Sequence, residues 1–99
     1  MAGKIKDMKI VYAPDFLKKF KKANVRIRNR VKEQILLFSK DPSASQLNNH
    51  SLKKEFQGYR SIDITNDWRT IYKEAEIAGE TVVYFIIFGT HKELYGKSS

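Results

Sequence analysis

The 99 residues leave room for one hydrophobic core and little for a second, and 41% hydrophobic with 12% aromatic residues can build it, which excludes disorder throughout. Cysteine is absent, which excludes a disulfide framework and a thiolate metal site; no signal-peptide core or run of roughly 20 apolar residues appears, so the expected setting is the cytoplasm, with no membrane. Nineteen Lys and Arg against eleven Asp and Glu give a formal charge of +8, dense between Lys4 and Lys32, which favours a polyanionic partner.

Residues 1–7 read as an extension without function, 8–96 as a single domain and 97–99 as a tail. Met8-Lys9-Ile10-Val11-Tyr12 is short and β-prone, a first strand. Pro14 suits a helix's first turn and Asp15 complements the dipole; Phe16, Leu17 and Phe20 then share a face among Lys18, Lys19, Lys21 and Lys22. Asn24 is placed to cap a second helix in which Ile27, Val31, Ile35 and Phe38 recur at helical spacing, and Asp41-Pro42 ends it. Two helices with almost no loop between them form a hairpin whose apolar side needs a sheet.

A polar loop, Ser43 to Asn49, precedes a short strand expected over Leu52 to Phe56 and a turn at Gln57-Gly58. From Tyr59 to Thr65 the residues alternate, with Ile62 and Ile64 on one side and Tyr59, Ser61, Asp63 and Thr65 on the other. After a turn at Asn66-Asp67, Trp68 to Lys73 forms the next strand, and beyond Ala78-Gly79-Glu80 the run Val82 to Phe88 reads as a buried one. The expected class is α+β: an N-terminal strand, a two-helix hairpin, then an antiparallel meander of three to four strands with the helices on one face.

Chemistry enters in the second half. The stretch His50 to Ile64, then Asp67-Trp68-Arg69-Thr70-Ile71-Tyr72, then Gly89-Thr90-His91-Lys92-Glu93-Leu94-Tyr95, resembles the RelE/ParE toxin superfamily, and within it the YafQ-like branch of mRNA interferases. The resemblance implies a RelE-like fold and a ribosome-dependent messenger RNA endonuclease acting on mRNA in the ribosomal A site, held inactive in a hetero-oligomer with a cognate antitoxin. Carried over by position, His50, Asp67, His91 and Tyr95 match functional residues. Where the YafQ-like pattern has a histidine this chain has Asp63, and two residues earlier Ser61 replaces an aspartate.

The residues themselves suit RNA cleavage. A 2′ hydroxyl can attack its own phosphodiester when one group takes its proton, another protonates the leaving oxygen, and cations neutralise the phosphorane. Histidine fits both proton roles, so His91 is the leading acid or base and His50 its partner. Asp63 can act as base or orient a histidine, whereas Asp67 is equally a turn residue bonding its own backbone. Arg60, Arg69, Lys53 and Lys54 are the candidate phosphate-binding cations. Tyr95 is the better stacking candidate, Trp68 serving equally in packing. No H-E-x-x-H or G-x-S-x-G spacing occurs, so neither metal nor other cofactor is called for. Two other readings compete: a ParE-like inhibitor of DNA gyrase that cuts nothing, and a noncatalytic RNA-binding module. The expected antitoxin carries an acidic amphipathic segment lying over the basic helices or filling the active groove.

Overall fold

The computed structural model describes residues 8–96; the extension expected over 1–7 and the tail over 97–99 lie outside them. Strand β1, Met8–Tyr12, leads into helix α1, Pro14–Lys22, which has Pro14 and Asp15 in its first turn and Lys19, Lys21 and Lys22 in its last. Helix α2, Val25–Lys40, starts where the Asn24 side chain accepts a hydrogen bond from the Ile27 amide at 3.0 Å, satisfying one of the helix's free donors. Its buried stripe is Ile27, Val31, Ile35 and Phe38, as the periodicity predicts.

The remaining strands are β2 (His50–Ser51), β3 (Arg60–Asp63), β4 (Trp68–Ile77) and β5 (Glu80–Thr90), followed by the short helix α3 (His91–Tyr95). The sheet order is β1-β5-β4-β3-β2. From β2 to β5 it is the expected antiparallel meander, and β1 joins the far edge parallel to β5. The class is thus α+β, with α1 and α2 packed on one face: Phe16 lies 5.0 Å from Phe88, and Phe38 lies 5.0 Å from Tyr72 and 5.5 Å from Phe85, centroid to centroid. Each such ring, fully removed from water, contributes about 1.5–3 kcal/mol before entropy is counted.

Besides helix α3, which the sequence reading does not place, three local features differ from it. No strand spans Leu52 to Phe56; residues Lys54–Phe56 form a single tight 3₁₀ turn with Lys54 in the left-handed region at φ 56°, and Phe56 turns to meet Tyr59 and Tyr95 edge-on. Lys53-Lys54-Glu55 offers a strand no apolar alternation, so packing of Phe56 decides. Strand β4 runs past Lys73 to Ile77, because Glu74, Ala75 and Glu76 keep their pairing with Val83, Val82 and Thr81. Between the pairs Ile71–Ile87 and Tyr72–Phe85, Ile86 is an extra residue; this bulge lets Phe85 and Phe88, three apart, both reach the helical face. No helix among the described residues is long and apolar enough to cross a membrane.

Candidate active site

Strand parity assembles the site. On β3, Ile62 enters the core beneath the helices, so Ser61 and Asp63 project from the opposite face. Cross-strand partners share a face: His50 pairs with Ser61, and Arg69 pairs with Asp63. Helix α3 follows β5 at the same end of the sheet, and its His91 amide donates to the Asp67 carbonyl at 2.8 Å. His50, Ser61, Arg69, His91 and Tyr95 consequently line one cleft of about 380 Å³.

Within it, His50 Nδ1 lies 2.8 Å from the Asn48 carbonyl oxygen. A carbonyl only accepts, so Nδ1 carries the hydrogen, and in the neutral ring Nε2 is left with a free lone pair. The His91 ring rests against Tyr95 with centroids 4.8 Å apart. Tyr95 in turn stands perpendicular to Phe56 at 5.8 Å and brings its hydroxyl to 3.5 Å from Ser61 Oγ.

Arg69 is anchored from behind. Its Nη1 donates to the carbonyls of Asn66 at 2.8 Å and Thr65 at 3.2 Å, while Nε lies 3.1 Å from Asp63 Oδ1. That approach is off the hydrogen-bond axis and leaves the buried Oδ1 without a bonded partner among the described residues, so charge rather than alignment holds the pair. Nη2 is the donor of the guanidinium not engaged in these contacts.

Helix α3 has only five residues, too few to persist on propensity, and is held by its first turn. Thr90 Oγ1 accepts from the Glu93 amide at 3.1 Å and Glu93 Oε1 accepts from the Thr90 amide at 2.9 Å, a reciprocal cap. Lys19 Nζ, from α1, also reaches Glu93 Oε1 at 3.0 Å while lying 5.7 Å over the Trp68 ring. The Thr90 amide first, then Lys19, hold the Glu93 carboxyl below its ordinary value. A Cβ on Gly89 would come within 2.7 Å of the same Oε1, so the glycine makes room for the cap.

The other residues singled out in the sequence fall elsewhere. Lys53 and Lys54 line an adjoining hollow that shares Leu52 and Tyr95 with the cleft. Arg60 is not brought to the cleft: alternation puts it on the Ile62 side, where Nε donates to Asn49 Oδ1 at 2.9 Å and Asn49 bonds the Tyr72 hydroxyl. Asp63 stands behind Arg69 and does not line the cleft. Asp67 lies in the turn, but the side chain that bonds the backbone there is Thr65, whose Oγ1 accepts from the Asp67 amide at 3.2 Å; Asp67 also borders a separate hollow with Arg26 and Arg30. Trp68 packs on Phe88 at 5.8 Å. Glu93, Gly89 and Lys19 were not foreseen, although Thr90-x-x-Glu93 is a capping-box spacing. Among the described residues no three of His, Cys, Asp or Glu converge as a metal site.

Residues 8–96 match the family model described as the bacterial toxin of type II toxin-antitoxin system, YafQ. No curated protein sequence matches the chain. Among solved structures, YafQ from E. coli strain BL21(DE3) is similar at a TM-score of 0.72 and 28% identity, over 91% of this chain and 100% of that one. A chain of the E. coli DinJ-YafQ toxin-antitoxin complex is similar at 0.70 and 27%, over 93% and 100%. A YoeB/ParE toxin from Agrobacterium tumefaciens shares the fold at 0.70 with 22% identity, over 85% and 99%. Since the family match spans all the described residues, the chain belongs to the YafQ family of toxins of bacterial type II toxin-antitoxin systems.

Proposed function

We propose that this toxin is an endoribonuclease that cuts messenger RNA on the ribosome without a metal ion, and that a cognate antitoxin holds it inactive. The observation that carries the reading is the one cleft lined by two imidazoles from distant parts of the chain and by an anchored guanidinium. In the proposed reaction, His50 Nε2 takes the proton of a ribose 2′ hydroxyl. The freed oxygen bonds to the adjacent phosphorus. Protonated His91 gives its proton to the departing 5′ oxygen, leaving a 2′,3′-cyclic phosphate and a 5′ hydroxyl. Arg69 Nη2 offsets the charge that builds on the phosphorane oxygens. Tyr95 presents a ring for a base to stack on, and the Lys53 and Lys54 ammonium groups attract the neighbouring backbone.

The antitoxin reading draws on the DinJ-YafQ complex and on a second surface of this chain. Between β1 and the helix hairpin runs an apolar groove of about 380 Å³ lined by Tyr12, Leu17 and Leu36, which are 37%, 48% and 57% exposed. With Lys32 also in that lining, the groove suits an acidic amphipathic segment.

The test is primer extension on a translated message after expression of the wild type and His91→Ala, with circular dichroism to verify folding. Loss of one proton-transfer group should slow cutting by roughly 10²–10⁴-fold. Unchanged cutting removes His91 from the mechanism, and toxicity that tracks DNA breaks instead of message fragments replaces the nuclease by a gyrase inhibitor.

A further inference from the structure

We infer that Glu93, Lys19 and Gly89 are positioning residues of the active site: together they fix α3 so that the His91 and Tyr95 rings project into the cleft. The inference rests on the nuclease reading for its kinetic consequences, and on geometry alone for its structural ones.

Both rings are carried by a helix of five residues, at its first and last positions. An isolated helix of that length does not form in water, because nucleation costs more than one turn of hydrogen bonds returns. Its orientation must therefore come from fixed contacts: the His91 amide on the Asp67 carbonyl and Tyr95 on Phe56 hold its ends, and in the first turn two more converge on one atom. Glu93 Oε1 receives the Thr90 amide at 2.9 Å, which fixes the first turn, and the Lys19 ammonium at 3.0 Å, which ties that turn to α1 across 74 residues of sequence. Lys19 is itself located by the Trp68 ring 5.7 Å away, on a strand whose next residue is Arg69. One chain of contacts thus sets the imidazole of His91 in relation to the guanidinium of Arg69. Gly89 completes it by leaving empty the space in which a methyl would sit 2.7 Å from Oε1. A displacement near 1 Å of a catalytic group is enough to cost about 10²-fold in rate.

The experiment compares Glu93→Ala, Glu93→Gln, Lys19→Met and Gly89→Ala by cleavage kinetics on programmed ribosomes, with thermal unfolding and proton NMR of the His91 ring. Glu93→Ala should lower kcat by roughly 10–100-fold with KM changed less than about three-fold. Glu93→Gln keeps an oxygen for the Thr90 amide and should recover most of kcat; Lys19→Met should fall between. Gly89→Ala, which removes no functional group, should resemble Glu93→Ala. In the two defective variants the His91 ring protons should lose the ring-current shift imposed by Tyr95. Wild-type kcat and His91 shifts in Gly89→Ala and Glu93→Ala would overturn the inference, as would a defect that Gln fails to relieve. If the wild type cuts no message the nuclease reading fails alone, because the His91 shifts still report whether the clamp sets the rings.

Discussion

Replacing Asp63 by Asn separates two roles for its carboxylate. The side chains of Asp63 and Arg69 are 24% and 18% exposed, and the pair closes at 3.1 Å without hydrogen-bond alignment. Breaking a fully buried pair costs about 3–5 kcal/mol, and an exposed one contributes about 0.2–1 kcal/mol. At this intermediate depth, with one contact misaligned, the expected loss is about 1–2 kcal/mol, a fall in Tm on the order of 5–10 °C for a domain of this size. Arg69 keeps its bonds to the Thr65 and Asn66 carbonyls, so it should move little and cutting should slow by less than about ten-fold. A general base at this position would give the opposite pattern, a loss of roughly 10²–10⁴ in rate with Tm nearly unchanged. Thermal unfolding and primer extension on the same preparation distinguish the two, and the second pattern would refute both the assignment of Asp63 as support for Arg69 and that of His50 as the base.

Two further outcomes are expected. The β4–β5 hairpin turns through Ala78 and Gly79 at φ 51° and 80°, a two-residue turn that favours Asn-Gly, so Ala78→Asn should raise stability by about 0.5–1 kcal/mol, read as a higher urea midpoint at constant slope; no rise would refute the strain. Because folding lowers the Glu93 pKa from 4.5, its contribution is complete above that value and is lost as pH falls through the lower folded one. Amide exchange in α3 should accordingly quicken relative to the core below about pH 4.5 in the wild type and not in Glu93→Gln, and equal pH profiles would refute the clamp's ionic part.

Much of the scaffold was legible because local rules agreed with tertiary ones. Asn24 and the Ile27-Val31-Ile35-Phe38 spacing gave α2, and the apolar run at the chain's end gave β5. The same alternation that sends Ile62 inward also places Arg60 on its side, so parity alone excludes Arg60 from the cleft. The bulge at Ile86 was not available, since nothing in Val82 to Phe88 marks which residue lacks a partner. Lys54 in the left-handed region was likewise hidden, because packing of Phe56 on Tyr59 and Tyr95 outweighs local preference. Glu93 had a readable signal, but a charged residue in a basic tail passes for a solvated surface group until the space above Gly89 is known.

The location of the cleft follows from how the sheet is covered. The helix hairpin occupies one face, and the strand pairs on the other bring distant residues into two neighbouring rows: Gly89, Arg69 and Asp63 in one, and Ser61 beside His50 in the next. Residues 50 and 91 therefore line one cleft without a loop long enough to carry either across the molecule. The hairpin keeps most of its lysines and arginines, with the apolar groove, away from those rows. An acidic partner seated in the groove and a polyanion in the cleft can then be bound by opposite sides of one sheet, while Lys19, reaching from α1 to Glu93, ties the hairpin to the helix that carries His91 and Tyr95.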